Sequence, residues 1–255
     1  MTTNIDTSNI TKNNCNVNVL PSDTISIIAK NLSPRDNGNL LLSKMQRVEE
    51  AFKKFNICTD ICIKLDEETF LEKLESGLEE YKQQYVKENY PDLNINNVYL
   101  DLSGLDLNGA DLGGVNFQGA DLTGADLGGC NLVGANFQGA DLTEADLGYC
   151  DLVGANFKDA ILYETNFFTA ILNDNNFTNA NCQGANFGEA NLKSVDFSGS
   201  DLFGANFVES ILDKYTKFNG ANLKWANFCG TDTRDVDFSG AIFNNTFQSG
   251  YNGYF

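Results

Sequence analysis

The apolar residues in the C-terminal part of this chain recur at every fifth position. Leu or Phe occupies position 102 and every fifth residue up to 212, with Cys182 as the single exception, which makes 22 matches in 23 units. One inserted residue within 213–215 shifts the frame, and the pattern then resumes at Phe218 with five matches in six units, ending at Phe243. A fixed short period of this kind indicates an internal repeat.

Each repeat carries two further restrictions around its Leu or Phe. The residue two places earlier is small, mostly Ala, and the residue directly before it is Asp or Asn in 24 of the 29 repeats. Over roughly residues 98–243 this pattern resembles A(D/N)LxX, the motif of the pentapeptide-repeat family. The resemblance implies a mainly β fold, a right-handed quadrilateral β-helix in which each pentapeptide forms one side and four pentapeptides form one square coil.

A coil of 20 residues is also visible in the residues themselves. Residues 111–130 and 131–150 are identical at 15 of 20 positions. When the central residues are sorted by 20, one column contains only Phe and predicts a core ladder of Phe117, Phe137, Phe157, Phe177, Phe197, Phe218 and Phe238. The inserted residue is expected to bulge at a corner and to leave this stacking intact. The repeats of residues 93–243 then fill about seven coils at a strand spacing of about 4.8 Å.

Residues 21–92 contain no pentapeptides and predict a small α-helical domain or cap, preceded by a flexible tail over residues 1–20 that is rich in Asn and Thr. Apolar residues in 39–56 alternate steps of four and three, which is typical of an amphipathic helix. Asp66 is a candidate N-cap for a further helix that carries Phe70, Leu74, Leu78, Tyr81 and Tyr85 on one side. Residues 57–65 fit either a strand or an extension of a helix.

Residues 244–255 leave the repeat and contain four aromatic residues, Phe247, Tyr251, Tyr254 and Phe255. A solenoid exposes its core and a strand edge at each end. We therefore expect this segment either to cap the last coil or to join two rods end to end as a homodimer.

The net charge of the chain limits the kinds of partner that it can bind. Seventeen Lys and Arg residues against 35 Asp and Glu residues give a formal net charge of −18, which opposes binding to nucleic acids and to anionic membranes. A protein with a basic surface is the expected partner. The sequence has no long apolar stretch, and its first residues have neither a basic nor an apolar leader region, so we expect a cytoplasmic protein that is not exported.

The sequence offers little for catalysis. It contains no His, which removes the usual general base and the His metal ligands, and its glycines occupy turn positions of the repeat instead of a phosphate-binding loop. Seven scattered cysteines are typical of reduced thiols. Cys130 and Cys150 lie one coil apart in the same inward column, within disulfide range, and are interpreted as small core residues. The chain is therefore predicted to be no enzyme and to bind no cofactor or metal.

Acidic residues are concentrated in the first coils. Residues 100–151 contain nine Asp or Glu residues and no Lys or Arg. The coil period stacks Asp101, Asp121 and Asp141 in one ladder and Asp106, Asp126 and Asp146 in a neighbouring ladder. Asp satisfies the local backbone donors of the motif, but Asn does so without like-charge repulsion. Three interpretations stay open: the aspartates only satisfy the motif, the ladders form an anionic face for a basic protein, or a multivalent cation lies between the ladders, although no loop encloses such a site.

These patterns predict a non-catalytic scaffold or regulator that presents a rigid acidic β-helix to another protein. The family resemblance implies an alternative, a DNA mimic that binds a type II topoisomerase such as gyrase and inhibits it or protects it from quinolones. Two features count against this alternative. Family members that protect gyrase from quinolones carry long loops that project from the coils, whereas this repeat has one inserted residue. DNA mimicry by itself also gives no reason for the additional helical domain.

Overall fold

The structure is a computed structural model and describes residues 59–89 and 95–247. The described residues fall into two compact units. One contains residues 59–63, 73–89 and 95–98, and the other contains residues 64–72 and 99–247. The predicted flexible tail over 1–20, the helical prediction for 21–58 and the end of the aromatic tail lie outside the described residues.

Among the described residues before the repeat there are two strands and two helices. Strand β1 is Thr59–Lys64, helix α1 is Glu67–Ser76, helix α2 is Leu78–Asn89 and strand β2 is Ile95–Asp101. β1 and β2 form a two-stranded sheet, so the ambiguous segment 57–65 is a strand and the region 21–92 is not purely helical.

The helix predicted after Asp66 is present but interrupted. The Asp66 carboxylate accepts the backbone N–H of Thr69 at 2.8 Å, as expected for an N-cap. The prediction of one continuous helix was wrong, because Gly77 adopts a φ of +115° and separates α1 from α2. A residue with a Cβ strongly disfavours this backbone conformation.

The repeat forms a solenoid with a period of 20 residues. Single residues at the Asp or Asn position of each pentapeptide pair in parallel with the equivalent residue 20 positions on, as in Asp121 with Asp141. Seven such pairings in succession connect Asp101 to Ile242, which matches the predicted number of coils. We call the column from Asp101 to Ile242 the first face, and the columns that begin at Asp106, Asp111 and Asn116 the second, third and fourth faces.

Large side chains fill the interior of the solenoid. The structure places the seven predicted Phe residues in one stack, with ring centroids 4.7–5.1 Å apart and each pair stacked. A second Phe column from Phe167 to Phe228 meets the first edge to face, for example at 5.8 Å between Phe167 and Phe177. Both arrangements are favourable for aromatic pairs, and they give the core a regular order along the rod.

The N-terminal end of this core is covered by residues of the same compact unit. Phe70 of α1 is fully buried, and its ring centroid lies 6.1 Å from that of Phe117, the first ring of the stack. On the outside, the Tyr99 ring lies so close to Gly119 that a Cβ there would approach it to 2.3 Å. Gly119 also has a φ of +65°, but Asp159 and Asn179 adopt the same backbone conformation at the equivalent position, so it is the nearby Tyr99 ring that favours glycine here.

The inserted residue bulges without disturbing the stack, as predicted. The bridge spacing changes from 20 residues at Asn191–Ile211 to 21 at Asp196–Lys217, and the pairing continues. The Asp213 carboxylate holds the bulge by accepting the backbone N–H groups of Ser194, Tyr215 and Thr216, each at 3.0 Å. Partial burial opposes ionisation of Asp213, but these hydrogen bonds outweigh it and lower its pKa below the usual value.

We expect Asp213→Asn to destabilise the protein at neutral pH by about 1 kcal/mol, because the bonds from the three donors are stronger to a carboxylate. A depressed folded-state pKa gives stability above the unfolded-state value of 3.8 that is lost as the pH falls through the folded-state pKa. Urea unfolding of the parent and the variant across this range should therefore converge in acid. A difference that persists unchanged below both pKa values would contradict this role for the charge.

Polar residues at inward small positions bond to the backbone. Thr165 Oγ1 donates to the Leu142 carbonyl at 2.8 Å, and Thr216 Oγ1 donates to the Leu192 carbonyl at 2.9 Å. Asn175 Oδ1 accepts the Ala155 N–H at 3.0 Å, but its buried Nδ2 has no hydrogen-bond partner. All three side chains therefore bond to the backbone, and Asn175 is only half satisfied.

Asn175→Ala is expected to raise the free energy of unfolding by about 1 kcal/mol, because it removes a buried unpaired donor. The Ala155 N–H also bonds to the Leu152 carbonyl at 3.0 Å and so keeps a partner. Thr165→Ala is the matched control. It should lower the free energy of unfolding by about 1 kcal/mol, because it removes the hydrogen bond to the Leu142 carbonyl. Urea unfolding measures both changes, and a loss of stability in Asn175→Ala would show that the amide makes a net favourable contribution.

The solenoid continues slightly beyond its predicted end. Phe247 pairs with Asn227 on the second face, and its backbone N–H and carbonyl both join the ladder. Its side chain is about half exposed. Phe247 therefore extends the repeat past residue 243 and does not fold over the last coil.

Candidate protein-binding surface

The β-helix holds each aspartate of the two acidic ladders in the same local geometry. One oxygen, Oδ1, accepts the backbone N–H two residues later, at 3.0 Å in Asp121, 2.9 Å in Asp126 and 2.8 Å in Asp146. Asp106 and Asp141 make the same bond at 3.2 and 3.0 Å. These bonds fix the side chains on the outside of the coil. Within the described part of the chain, the second oxygen, Oδ2, of these five residues has no hydrogen-bond partner.

The ladders stack as the sequence predicts. Asp101, Asp121 and Asp141 are bridge partners on the first face, and Asp106, Asp126 and Asp146 are bridge partners on the second face. The two faces adjoin at Ala125 and its equivalents, because each pentapeptide forms one side. Two columns of carboxylates therefore run beside each other.

Asp101 differs from the other five. It is 2% exposed, and its Oδ2 accepts a hydrogen bond from Lys64 Nζ at 3.3 Å. Burial opposes ionisation of Asp101, but hydrogen bonds from Ser103 and the charge of Lys64 outweigh it and hold its pKa below the usual value. Asp101 is thus a paired residue at the N-terminal end of the rod. The rest of the candidate face consists of Asp106 and Asp146, which are exposed, and Asp121, Asp126 and Asp141, which are half-buried. We call these five residues the acidic ladders from here on.

No ion pair neutralises the acidic ladders within residues 59–89 and 95–247. The ion pairs formed in this part of the chain join Lys64 to Asp101, Lys82 to Glu79, Lys217 to Asp196 and Arg234 to Asp232. Three aspartates of the rod, Asp101, Asp196 and Asp232, are therefore paired with a basic residue, whereas in this part of the chain none of the five residues of the acidic ladders is. The acidic ladders are thus a group of unpaired carboxylates on two adjoining faces of the described rod, in a stretch of sequence without Lys or Arg.

Asn residues at the same motif position form side-chain hydrogen bonds between successive coils. Asn136 Nδ2 donates to Asn116 Oδ1 at 3.0 Å, and Asn156 Nδ2 donates to Asn136 Oδ1 at the same distance. Asn186 and Asn206 continue such bonds on the second face, at 3.0 and 2.9 Å. Stacked Asn residues thus gain a bond between coils, whereas stacked Asp residues repel each other.

The buried cysteines are not candidate reactive groups. Cys130 and Cys150 are free thiols, and each donates to a backbone carbonyl at 3.0 Å, that of Leu107 and Leu127 respectively. Burial raises the pKa of Cys150 to about 12. Such a thiol is protonated at neutral pH and reacts poorly.

The described residues contain no cluster of three or more acidic or Cys side chains arranged to hold a metal ion. The same residues include no helix that is long and apolar enough to cross a bilayer.

The profile of the pentapeptide-repeat family matches the chain in eight copies, over residues 101–139, 135–174, 170–207 and 214–246. The chain belongs to the pentapeptide-repeat family. Pentapeptide-repeat proteins form right-handed quadrilateral β-helices, and four units for each 20-residue coil agree with that form. Members of the family are typically non-enzymatic structural scaffolds, and no catalytic family matches.

Solved structures of other pentapeptide-repeat proteins are similar to this chain. One is a protein from the thylakoid lumen of Arabidopsis thaliana, 38% identical with a TM-score of 0.37, covering 37% of this chain and 66% of that protein. The chain thus spans just under two thirds of that relative. Another is HetL from the cyanobacterium Nostoc sp. strain PCC 7120, 21% identical with a TM-score of 0.26, covering 72% of this chain and 94% of HetL.

A third similar structure is QnrB1, a plasmid-mediated fluoroquinolone resistance protein. It is 23% identical with a TM-score of 0.32, covering 60% of this chain and 81% of that protein. No curated protein sequence matches this chain significantly.

Sequence reasoning missed a group of exposed apolar side chains on the later coils, among them Phe203 and Trp225. They occupy turn positions that the pentapeptide motif leaves unrestricted. The available signal was the presence of aromatic residues where other repeats have Gly, Thr or Gln.

Proposed function

We propose that this pentapeptide-repeat protein is a non-catalytic interaction scaffold whose acidic ladders bind a basic surface of a partner protein. One observation carries the proposal. The chain places Asp where Asn would make the same turn bond and gain a bond to the next coil, as Asn136 and Asn156 do on the same rod. Like charges in register destabilise a ladder, so retention of the aspartates favours a role in binding over a role in folding.

The proposal includes a cytoplasmic location. Cys130 and Cys150 are stacked one coil apart and remain unpaired, and reduced thiols are typical of the cytosol. An oxidising compartment is less compatible with this pair.

A type II topoisomerase is the alternative partner. The acidic ladders extend over two coil spacings, roughly 10 Å along the rod. Duplex DNA advances about 3.4 Å for each base pair, so the ladders match only about three base pairs. A compact basic patch fits this length better than a surface shaped for a long duplex.

The binding test uses a variant in which all five residues of the acidic ladders are changed to Asn. The matched control is Asp159→Asn, Asp174→Asn, Glu189→Gln, Glu209→Gln and Asp235→Asn, five exposed positions outside the ladders. Both variants change the formal net charge of −18 by the same amount. The probe is fluorescein-labelled decalysine, and the readout is fluorescence anisotropy at low and at physiological ionic strength.

We expect the ladder variant to bind decalysine about tenfold more weakly and with a shallower salt dependence, since clustered charges create the local potential. The control variant should bind like the parent. Equal weakening in both variants would show that only net charge matters and would overturn the proposal. Inhibition of gyrase supercoiling by the parent, lost in the ladder variant alone, would assign the surface to the topoisomerase.

The same variant has an expected effect on stability. Replacing stacked aspartates by Asn removes repulsion and allows bonds between coils, each worth about 0.2–1 kcal/mol. The ladder variant should therefore melt at a higher temperature than the parent in thermal unfolding followed by circular dichroism. A lower melting temperature would mean that the carboxylates stabilise the fold, which would support the purely structural interpretation.

A further inference from the structure

The first face changes character along the rod. Its early coils carry Asp121, Thr123, Asp141 and Thr143, whereas its later coils carry exposed apolar side chains. We call these side chains the apolar stripe: Ile161 and Tyr163 are 40% exposed, Phe203 44%, Trp225 48% and Ile242 50%. Trp225 also contacts Phe247 at the border with the second face, with ring centroids 6.3 Å apart. Exposed aromatic groups of this kind are typical anchors of protein interfaces.

The fold does not require Trp225. Its φ is +62°, in the left-handed region. The equivalent position in the other coils of the face is Gly at 104, 124, 184 and 204, Glu at 144 and 164, and Asn at 245, so no other coil has an aromatic residue there. A bulky residue in this conformation costs roughly 1–2 kcal/mol. The chain therefore presents its single Trp at a position that disfavours it, with about half of the residue in solvent.

A partner on this face has to bind through side chains. Ile161 is paired with residues on both neighbouring coils, Asp141 and Asn181, and its N–H bonds to the Ala140 carbonyl. The backbone groups along the face are thus used within the solenoid, and an extended peptide cannot add to it as a further strand. An α-helix, whose own backbone is already bonded, suits such a surface.

The spacing of the stripe fits a helix that lies along the rod. Tyr163 and Phe203 lie two coils apart, roughly 10 Å. Residues i and i+7 of an α-helix are about 10.5 Å apart on one side. An amphipathic helix with apolar residues at i and i+7 can therefore contact Tyr163 and Phe203, and the intervening coil presents the polar Gln183 between them.

The acidic residues next to the stripe indicate that the partner helix also carries basic residues. Asp121, Asp141 and the exposed Glu144 lie on the first face before the stripe begins, in a region of the sequence without Lys or Arg. A second copy of this chain, with the same acidic coils and a formal charge of −18, is a poor match. We propose that the first face binds a basic amphipathic α-helix of a partner protein, with the apolar stripe against its apolar side. This inference rests on the proposed function for the contacts to the basic residues and stands independently for the stripe.

The test uses the intact chain and two synthetic helical peptides without Trp. The amphipathic peptide has Leu on one side and Lys on the other, and the basic peptide keeps the same Lys positions with every Leu replaced by Gln. Because Trp225 is the only Trp, its emission reports directly on the stripe. We expect the amphipathic peptide to shift this emission to shorter wavelength and to bind at least about tenfold more tightly than the basic peptide, as removal of interface anchors typically changes affinity by this much.

Two variants locate the binding. Phe203→Ser should weaken binding of the amphipathic peptide about tenfold. Tyr215→Ser is the control, because Tyr215 is 60% exposed and lies on the third face, in the bulge formed by the insertion. Equal affinity of the two peptides, unchanged in Phe203→Ser, would overturn the docking site while leaving the acidic ladders in place.

The remaining outcomes separate the two proposals. Tight binding that is lost in Phe203→Ser but unaffected by the five-Asn ladder variant would keep the stripe and reject the acidic ladders. Absence of binding by either peptide would reject both. Sedimentation measures the oligomeric state, and the Trp225 emission reports whether the stripe is buried in it. A dimer whose formation shifts this emission to shorter wavelength would assign the stripe to a second copy and overturn the proposal of a partner helix.

Discussion

Phe177→Ala is expected to lower the free energy of unfolding by about 3–5 kcal/mol, the range observed when buried Phe residues are truncated. Phe177 is fully buried near the middle of the stack. Its ring lies 4.7 Å from that of Phe157 and 4.9 Å from that of Phe197, and it meets Phe167 and Phe187 edge to face at 5.8 and 5.7 Å. The rungs on either side are held by their own bridges, so they cannot collapse into the cavity.

The size of this effect is measured by urea unfolding followed by circular dichroism. Phe177→Leu is the matched control, because Leu occupies the same position of the pentapeptide in many repeats, and it should cost less than half as much. Phe203→Ala, at an exposed turn position, should change stability by less than about 0.5 kcal/mol. If Phe177→Ala cost no more than Phe203→Ala, the aromatic stack would not be the main source of stability.

The core of this rod is predictable from sequence because one residue type at one position determines it. Each pentapeptide contributes a single large inward side chain, and a period of 20 brings equal residues into contact, so counting along the chain identifies Phe117 and Phe137 as neighbours. No long-range information is needed, since contacts in a solenoid repeat at a fixed separation.

Features that depend on residues outside the repeat were not predictable in this way. Asp101 has the same motif position as Asp121, yet Lys64 neutralises it from a segment 37 residues earlier. The sequence left that segment open between strand and helix. The pairing of β1 with β2 brings Lys64 to the first coil, and no local pattern records this pairing.

The candidate binding surface was predictable from the sequence only in part. The motif restricts the small residue, the Asp or Asn and the Leu or Phe, so the acidic ladders follow from the period. It leaves the two turn residues free, and the apolar stripe is built largely from those, at Tyr163, Phe203 and Trp225. Sequence reasoning that follows the motif alone therefore passes over these turn positions.

The second large effect is expected at the N-terminal end of the stack. Phe70 is fully buried and covers Phe117, whose other face is already occupied by Phe137. Phe70→Asp removes this cover and places a charge at the end of an apolar core, where burial is unfavourable unless the charge is paired. We expect a loss of about 3–5 kcal/mol, concentrated in the first coils because each coil contacts only its neighbours.

Hydrogen exchange distinguishes this local effect from a general loss of stability. In Phe70→Asp, amides of residues 102–120 should exchange faster while those of residues 180–230 keep their protection. The variant should also associate with itself, since an uncovered coil presents an unpaired strand edge and apolar side chains. Glu68→Ala, an exposed position on the same helix, is the control and should behave like the parent. Unchanged exchange in residues 102–120 together with an unchanged molecular mass would mean that the first coil is stable without its cover, and that Phe70 packs there without protecting it.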